Sequence, residues 1–228
     1  MQRFKYSLLT ILIAFAIYFV SLVLFALASQ LLTGGEVRNL DPREFLVTSV
    51  VLNGAVILGV WTVSSAHKRG IGAFMKSIGL GRPSFNSISV SIGLLVLYYG
   101  TLIAVFVVLR QLGVLDTAAE QDIGLDDSTT TVGIVYIYLA LSVVTPLGEE
   151  FLYRGFIYQR LSKFLNKDIV IVLVSLLFAV AHWPPNAMVD TFILSIFMII
   201  GLRVTGTLWT PVIMHALKNA VSVSLVYL

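Results

Sequence analysis

Residues 87–109 read SISVSIGLLVLYYGTLIAVFVVL, a run without one charged side chain. A helix of that length rises about 34 Å, enough to cross a hydrocarbon core of about 30 Å. Six further stretches are nearly as apolar: 6–28, 45–66, 131–159, 168–183, 187–204 and 208–227. The expected fold class is therefore all-α, a polytopic membrane helix bundle of about seven transmembrane helices. Composition agrees. Charged residues make up 12% of the 228 and hydrophobic ones 58%, with a mean hydropathy of +0.95. Soluble domains carry about 25% charged residues. The chain has no cysteine, which excludes disulfides and thiolate metal sites.

The first apolar run, Tyr6 to Ala28, follows Arg3 and Lys5 and ends in ALAS, which resembles a signal-peptide cleavage site. Signal peptides have shorter apolar regions, of about 7–15 residues, so this run is read as an uncleaved span. There is no internal repeat and no low-complexity segment. Two regions are expected: residues 1–130, three spans with their loops, and residues 131–228, a helical core carrying the unusual polar residues. The loops alternate in charge. Arg3 and Lys5, then Lys68, Arg69, Lys76 and Arg82, then Arg160, Lys163 and Lys167 are basic. The 29–44 loop is mixed, and the 110–130 loop is acidic, with Asp116, Glu120, Asp122, Asp126 and Asp127. Lysine and arginine collect in cytoplasmic loops. The N-terminus is thus expected in the cytoplasm and the C-terminus outside. The net charge of +3 reads as this orientation signal and not as a nucleic-acid surface.

Two spans are irregular. The fifth is short and runs into Pro184-Pro185, so its helix is expected to end inside the protein beside His182. Pro146 and Gly148 in the fourth span predict a kink or a break. Just after them comes LGEEFLYRGF, with Glu149, Glu150 and Arg154. A charge at mid-span costs about 2.5–3.5 kcal/mol on insertion scales. Glu150 and Arg154 lie at i and i+4 and can pair. Glu149 points about 100° away and has no local partner. An ion pair plus one interfacial acid would account for these charges structurally. His67 lies in a basic loop and reads as solvated. His182 closes the fifth span. His215 lies in the seventh, one turn before Asn219, whereas Lys218 is expected to point elsewhere and snorkel. Counting helical rise from the basic ends puts Glu149, His182, His215 and Asn219 about 10–20 Å deep on three helices. A shared cavity is expected, open toward the cytoplasm. A carboxylate base, two imidazoles and a carboxamide suit amide hydrolysis. Two His and one Glu are also a known zinc ligand set, which this sequence neither demands nor excludes.

At these residues the chain resembles the CAAX-protease and bacteriocin-processing (CPBP, or Abi) family of intramembrane proteases. The family pattern is E-E-x-x-x-R, F-x-x-x-H and H-x-x-x-N. It is matched by Glu149-Glu150 with Arg154, Phe178 with His182, and His215 with Asn219. The resemblance covers about 131–227. It implies a membrane endopeptidase in which Glu149 activates water, His182 assists, and His215 and Asn219 serve the oxyanion. Glu150 belongs to the same site, with Arg154 and Phe178 as support. Members are commonly labelled metalloproteases, although a metal-free glutamate mechanism is also proposed. A divalent metal such as zinc is therefore an open question. The implied partners are membrane lipid and a membrane-associated or prenylated, lipophilic peptide substrate. A non-catalytic scaffold or bacteriocin self-immunity protein is the alternative. An ion-coupled transporter is the third reading, and the absence of repeats counts against it.

Overall fold

The computed structural model describes residues 2–33, 41–64, 69–114, 130–182 and 184–228. His67, Lys68, Trp183, Glu36, Arg38 and the acidic residues between 115 and 129 lie outside the described residues. Eight helices follow in order: α1 (Gln2–Thr33), α2 (Pro42–Val63), α3 (Ile71–Ser77), α4 (Phe85–Gln111), α5 (Thr131–Leu161), α6 (Lys167–Val180), α7 (Pro185–Thr205) and α8 (Trp209–Tyr227). There is no strand among the described residues, and the fold class is all-α as the apolar runs predict. By length and composition α2, α4, α5 and α7 can each cross a membrane, and α1 contributes a shorter apolar stretch, Leu8–Leu24. Seven crossings are compatible with this. Large apolar side chains such as Phe15, Phe19, Val96, Leu97, Ile103 and Val180 face outward, as lipid-exposed surface requires. The molecule is an integral membrane protein.

Helix α2 starts earlier than its apolar run because Asp41 caps it. The Asp41 carboxylate accepts from the Arg43 and Glu44 amides, Glu44 reaches back to the Asp41 amide, and Pro42 occupies the first turn. Helix α3 lies in what reads as a plain basic loop. Its seven residues are too few for a periodic signal, yet they bury Phe74, and Ile78 is buried just after them. The turn that follows needs Gly79, at φ +77°, a conformation that side chains with a Cβ rarely adopt. Gly79 accepts a 2.8 Å hydrogen bond from the Leu208 amide, and Trp209 donates its indole N–H to Gly81 at 2.6 Å. Tyr6 stacks on Phe164, and Arg203 pairs with Asp168 at 2.9 Å. These contacts gather the start of α1, the α3 segment and the α5–α6 and α7–α8 connections at one end of the bundle. That end carries Lys5, Arg69, Lys76, Arg82, Arg160 and Lys163.

Helix α5 is the central element. Of the kink or break expected at Pro146 and Gly148, the break does not occur, and the helix is continuous over Thr131–Leu161. It widens instead, into π-helical turns at Ala140–Val144 and Phe151–Tyr158. The Thr145 amide bonds to Ala140, five residues back, so the chain passes Pro146 in a wider register. Gly148 serves close packing. A Cβ there would lie 2.1 Å from Asn53 Oδ1 on α2. Helix α2 therefore lies directly against the turn that carries the acidic pair, while α4 covers α7 and α8 from the other side.

Candidate active site

Glu149 and Glu150 are adjacent in sequence and differ in the hydrogen bonds their carboxylates make. The Glu150 side chain is fully buried. Its Oε1 accepts from Arg154 at 2.9 Å and from His215 Nδ1 at 3.0 Å. Arg154, also fully buried, gives a second N–H to Ser195 on α7 at 2.7 Å and stacks over the Phe178 ring at 4.4 Å. A buried carboxylate and guanidinium are tolerable only when paired and hydrogen-bonded in this way. Phe178 fills the centre of the cluster, with its ring 4.5 Å from the His182 ring and 5.8 Å from the His215 ring.

Glu149 Oε2 makes no hydrogen bond to any of these groups. That oxygen is buried without a hydrogen bond, 3.9 Å from His182 Nε2 and 3.8 Å from His215 Nε2. Both imidazoles are oriented from behind. His215 Nδ1 faces the Glu150 carboxylate, which can only accept, so that nitrogen carries the hydrogen. His182 Nδ1 likewise faces the Phe178 carbonyl at 2.7 Å. In the neutral rings both Nε2 atoms are then acceptors turned toward Glu149. The position of His182 follows from local sequence. Helix α6 ends at Val180, the His182 amide closes a last turn to Ala179 at 2.8 Å, and Pro185 opens α7.

Asn219 lies one turn beyond His215 and donates to the Leu141 carbonyl at 2.8 Å. In the widened register Leu141 would be paired with the nitrogen of Pro146, which has no hydrogen. Asn219 thus supplies a donor that the proline withholds, and its second N–H remains.

The two glutamates and two histidines do not complete a metal site by geometry. Among the described residues no group of three His, Asp or Glu side chains is placed to hold a metal ion.

A cavity of about 500 Å³ opens beside Glu149, His182, His215 and Asn219. Its direction differs from expectation. Its lining runs through Leu141 and Thr145 on α5, Asn186 and Asp190 on α7, Leu102 and Phe106 on α4, and on α8 as far as Val226 and Tyr227. Each lies on the part of its helix away from the basic connections. Among the described residues the cavity therefore extends away from Lys76, Arg160 and Lys163. At the basic end the α3 segment packs against the bundle through Phe74 and Ile78, a packing invisible in the sequence. Lys218 also departs from expectation. It does not point elsewhere but lines the cavity, pairing with Asp190 at 3.1 Å. Asp190 in turn accepts a hydrogen bond from Tyr98 of α4. Asp190 and Tyr98 escaped sequence reading, although an acid inside an apolar span was the available signal. Asn53 carried none.

The fold and the site together define a class: a helical membrane protein with an unpaired carboxylate between two oriented imidazoles at the wall of an interior cavity. Residues 131–221 are similar to the family described as type II CAAX prenyl endopeptidase Rce1-like. Neither the curated proteins nor the solved structures gave a significant match.

Proposed function

We propose that the protein hydrolyses a peptide bond within the membrane, using a water activated by Glu149. The position of Glu149 Oε2 carries this reading: buried, unpaired, and nearly equidistant from two imidazole nitrogens on different helices. A water about 2.8 Å from Oε2 and from either Nε2 subtends close to a right angle at its oxygen, which hydrogen-bond geometry allows. With three acceptors around it, such a water gives up its hydrogens to the protein and turns a lone pair to the substrate. Glu149 takes one proton as the water oxygen bonds to the scissile carbonyl carbon. The remaining N–H of Asn219 donates to the resulting oxyanion. His215 Nε2 accepts the water's second hydrogen before the attack, and Glu150 holds that ring through Nδ1. Glu149 then passes its proton to His182 Nε2, and His182 delivers it to the leaving nitrogen as the C–N bond breaks and the carbonyl re-forms, which leaves a carboxylic acid, an amine and the Glu149 carboxylate. Glu150, Arg154 and Phe178 act as positioning residues, since none of them lines the cavity. No step is routed through a metal.

Residues 131–228 hold all these groups, and residues 1–130 brace them through Asn53, Tyr98, Leu102 and Phe106. The substrate is a peptide with a lipophilic part. An apolar cavity of about 330 Å³ between α1, α5 and α6, lined by Phe15, Tyr18, Tyr153 and Leu176, is a place of matching chemistry for an isoprenoid or acyl chain. The clustered basic residues put the N-terminus and the α3 end in the cytoplasm.

The test is cleavage of a lipopeptide library by detergent-solubilised protein, with and without chelator. Glu149→Gln is expected to lose about 10²–10⁴-fold in rate, the scale of a general base, while denaturing at the wild-type midpoint. Undiminished activity of that variant would end the proposal. Loss with chelator alone would replace the water-only chemistry with a metal-assisted one.

A further inference from the structure

Among the described residues the basic end of the bundle holds one carboxylate, Asp168, and Arg203 already pairs with it at 2.9 Å. The cations at that end fall into two groups by what stands beside them. Lys5, Arg69, Arg82, Lys167 and Arg203 each lie within three positions of a large apolar side chain that is itself exposed: Leu8, Ile71, Phe85, Ile169 and Val204 respectively. Phe85 is 85% exposed and Ile71 69%. Lys76 and Lys163 are exposed without such a neighbour, and Arg160 is half-buried over the Phe156 ring at 5.4 Å. Large apolar side chains left outside the fold are at low free energy among acyl chains and not in water. A cation a few positions away therefore stands where the acyl chains end, at the level of the phosphates. Two aromatic residues mark the same level. Trp209 is half-buried with its indole N–H on the Gly81 carbonyl, and Tyr6, next to Lys5, is exposed and stacks on Phe164. Trp and Tyr collect at the headgroup boundary.

We infer that Lys5, Arg69, Arg82, Lys167 and Arg203 form a rim that binds the phosphate groups of anionic phospholipids, while Lys76 and Lys163 face water. Charge selects the occupant. The rim has no free carboxylate, so its counter-charge comes from outside the chain. The side chains beside the rim are apolar, so the anion that fits there carries acyl chains. Each Lys or Arg near such a surface is worth about fivefold in affinity. The rim cations come from the start of α1, the segments before α3 and α4, the start of α6 and the end of α7. Lipid bound there ties these connections together, where the chain itself supplies few polar contacts between them, such as Arg203–Asp168 and Trp209–Gly81.

The full-length protein in neutral detergent micelles is titrated with short-chain phosphatidylglycerol, and its thermal denaturation midpoint is followed. Phosphatidylcholine of the same chain length and glycerol phosphate, the headgroup without chains, are the comparisons. A ligand that binds only the folded state raises the midpoint. The expected result is a rise with phosphatidylglycerol alone. Arg69→Gln, Arg82→Gln and Lys167→Gln combined should move that titration about 10²-fold to higher lipid. Lys76→Gln combined with Lys163→Gln should leave it in place, as should the charge-keeping set Arg69→Lys, Arg82→Lys and Lys167→Arg. Each variant is compared with itself without added lipid, so a change in its starting stability does not enter. No rise with phosphatidylglycerol, or an equal rise with phosphatidylcholine or with glycerol phosphate, would overturn the inference. So would a titration that the triple glutamine variant leaves unmoved, or that the Lys76 and Lys163 pair moves as far. Peptidase activity is not read in any arm, so these outcomes stand apart from failure of the proposed chemistry.

Discussion

The two ends of this bundle are built on different terms. At the basic end, helices meet through close contacts at Gly155 and Gly201, a buried ion pair, and the α3 segment wedged beneath them. At the other end the same helices part around a cavity, and polar side chains there hold one another across it: Lys218 to Asp190, Asp190 to Tyr98, Asn219 to Leu141. Glu150 belongs to the first region and Glu149 to the second, although one peptide bond separates them. The lesson is that a charge in lipid can serve stability or chemistry, and that its partners, not its depth, decide which.

Substitutions should therefore divide along this boundary. The largest effect on stability is expected at Glu150. Glu150→Ala leaves Arg154 charged and buried without its carboxylate, a loss of about 3–5 kcal/mol. It should appear as a steep fall in denaturation midpoint in detergent. Unchanged stability would mean that Ser195 and Phe178 suffice for the guanidinium. Gly148→Ala comes next. Its Cβ cannot sit 2.1 Å from Asn53 Oδ1, and overpacking of this kind costs about 1–3 kcal/mol. Adding Asn53→Ala should restore part of the loss, which thermal denaturation of the double variant would reveal. Asn219→Ala should cost about 1–3 kcal/mol by leaving the Leu141 carbonyl unpaired. In a Pro146→Ala background the restored backbone N–H can reach Leu141, so the same change should cost less. The difference across this double-mutant cycle measures the structural part of the Asn219 role, and any activity still missing is the catalytic part. The smallest effect belongs to Lys163→Gln, an exposed change expected to stay within about 0.5 kcal/mol. A larger shift would show that the basic end does more than face the aqueous phase.

The spans were legible because lipid demands long apolar helices, and α4 and α7 each begin and end within two residues of their apolar runs. Glu149, His182, His215 and Asn219 were legible because a polar group in an apolar run costs free energy unless something uses it. Three features were not. Helix α3 is too short to show a period. The irregularity expected at Pro146 takes the form of a widening of α5, where Asn219, distant in sequence, donates to the Leu141 carbonyl. Lys218 shares its turn with the site residues, and only the position of Asp190 on another helix shows where its ammonium goes.

The sequence alone determined the helical class, the membrane setting and the identity of the polar groups in the core, since hydropathy and helical spacing are local properties of the chain. Which glutamate pairs with Arg154, where Asn219 donates and which helices line the cavity were decided by packing. Those properties depend on side chains from different helices meeting at distances of a few ångströms, and no pattern within one helix encodes them.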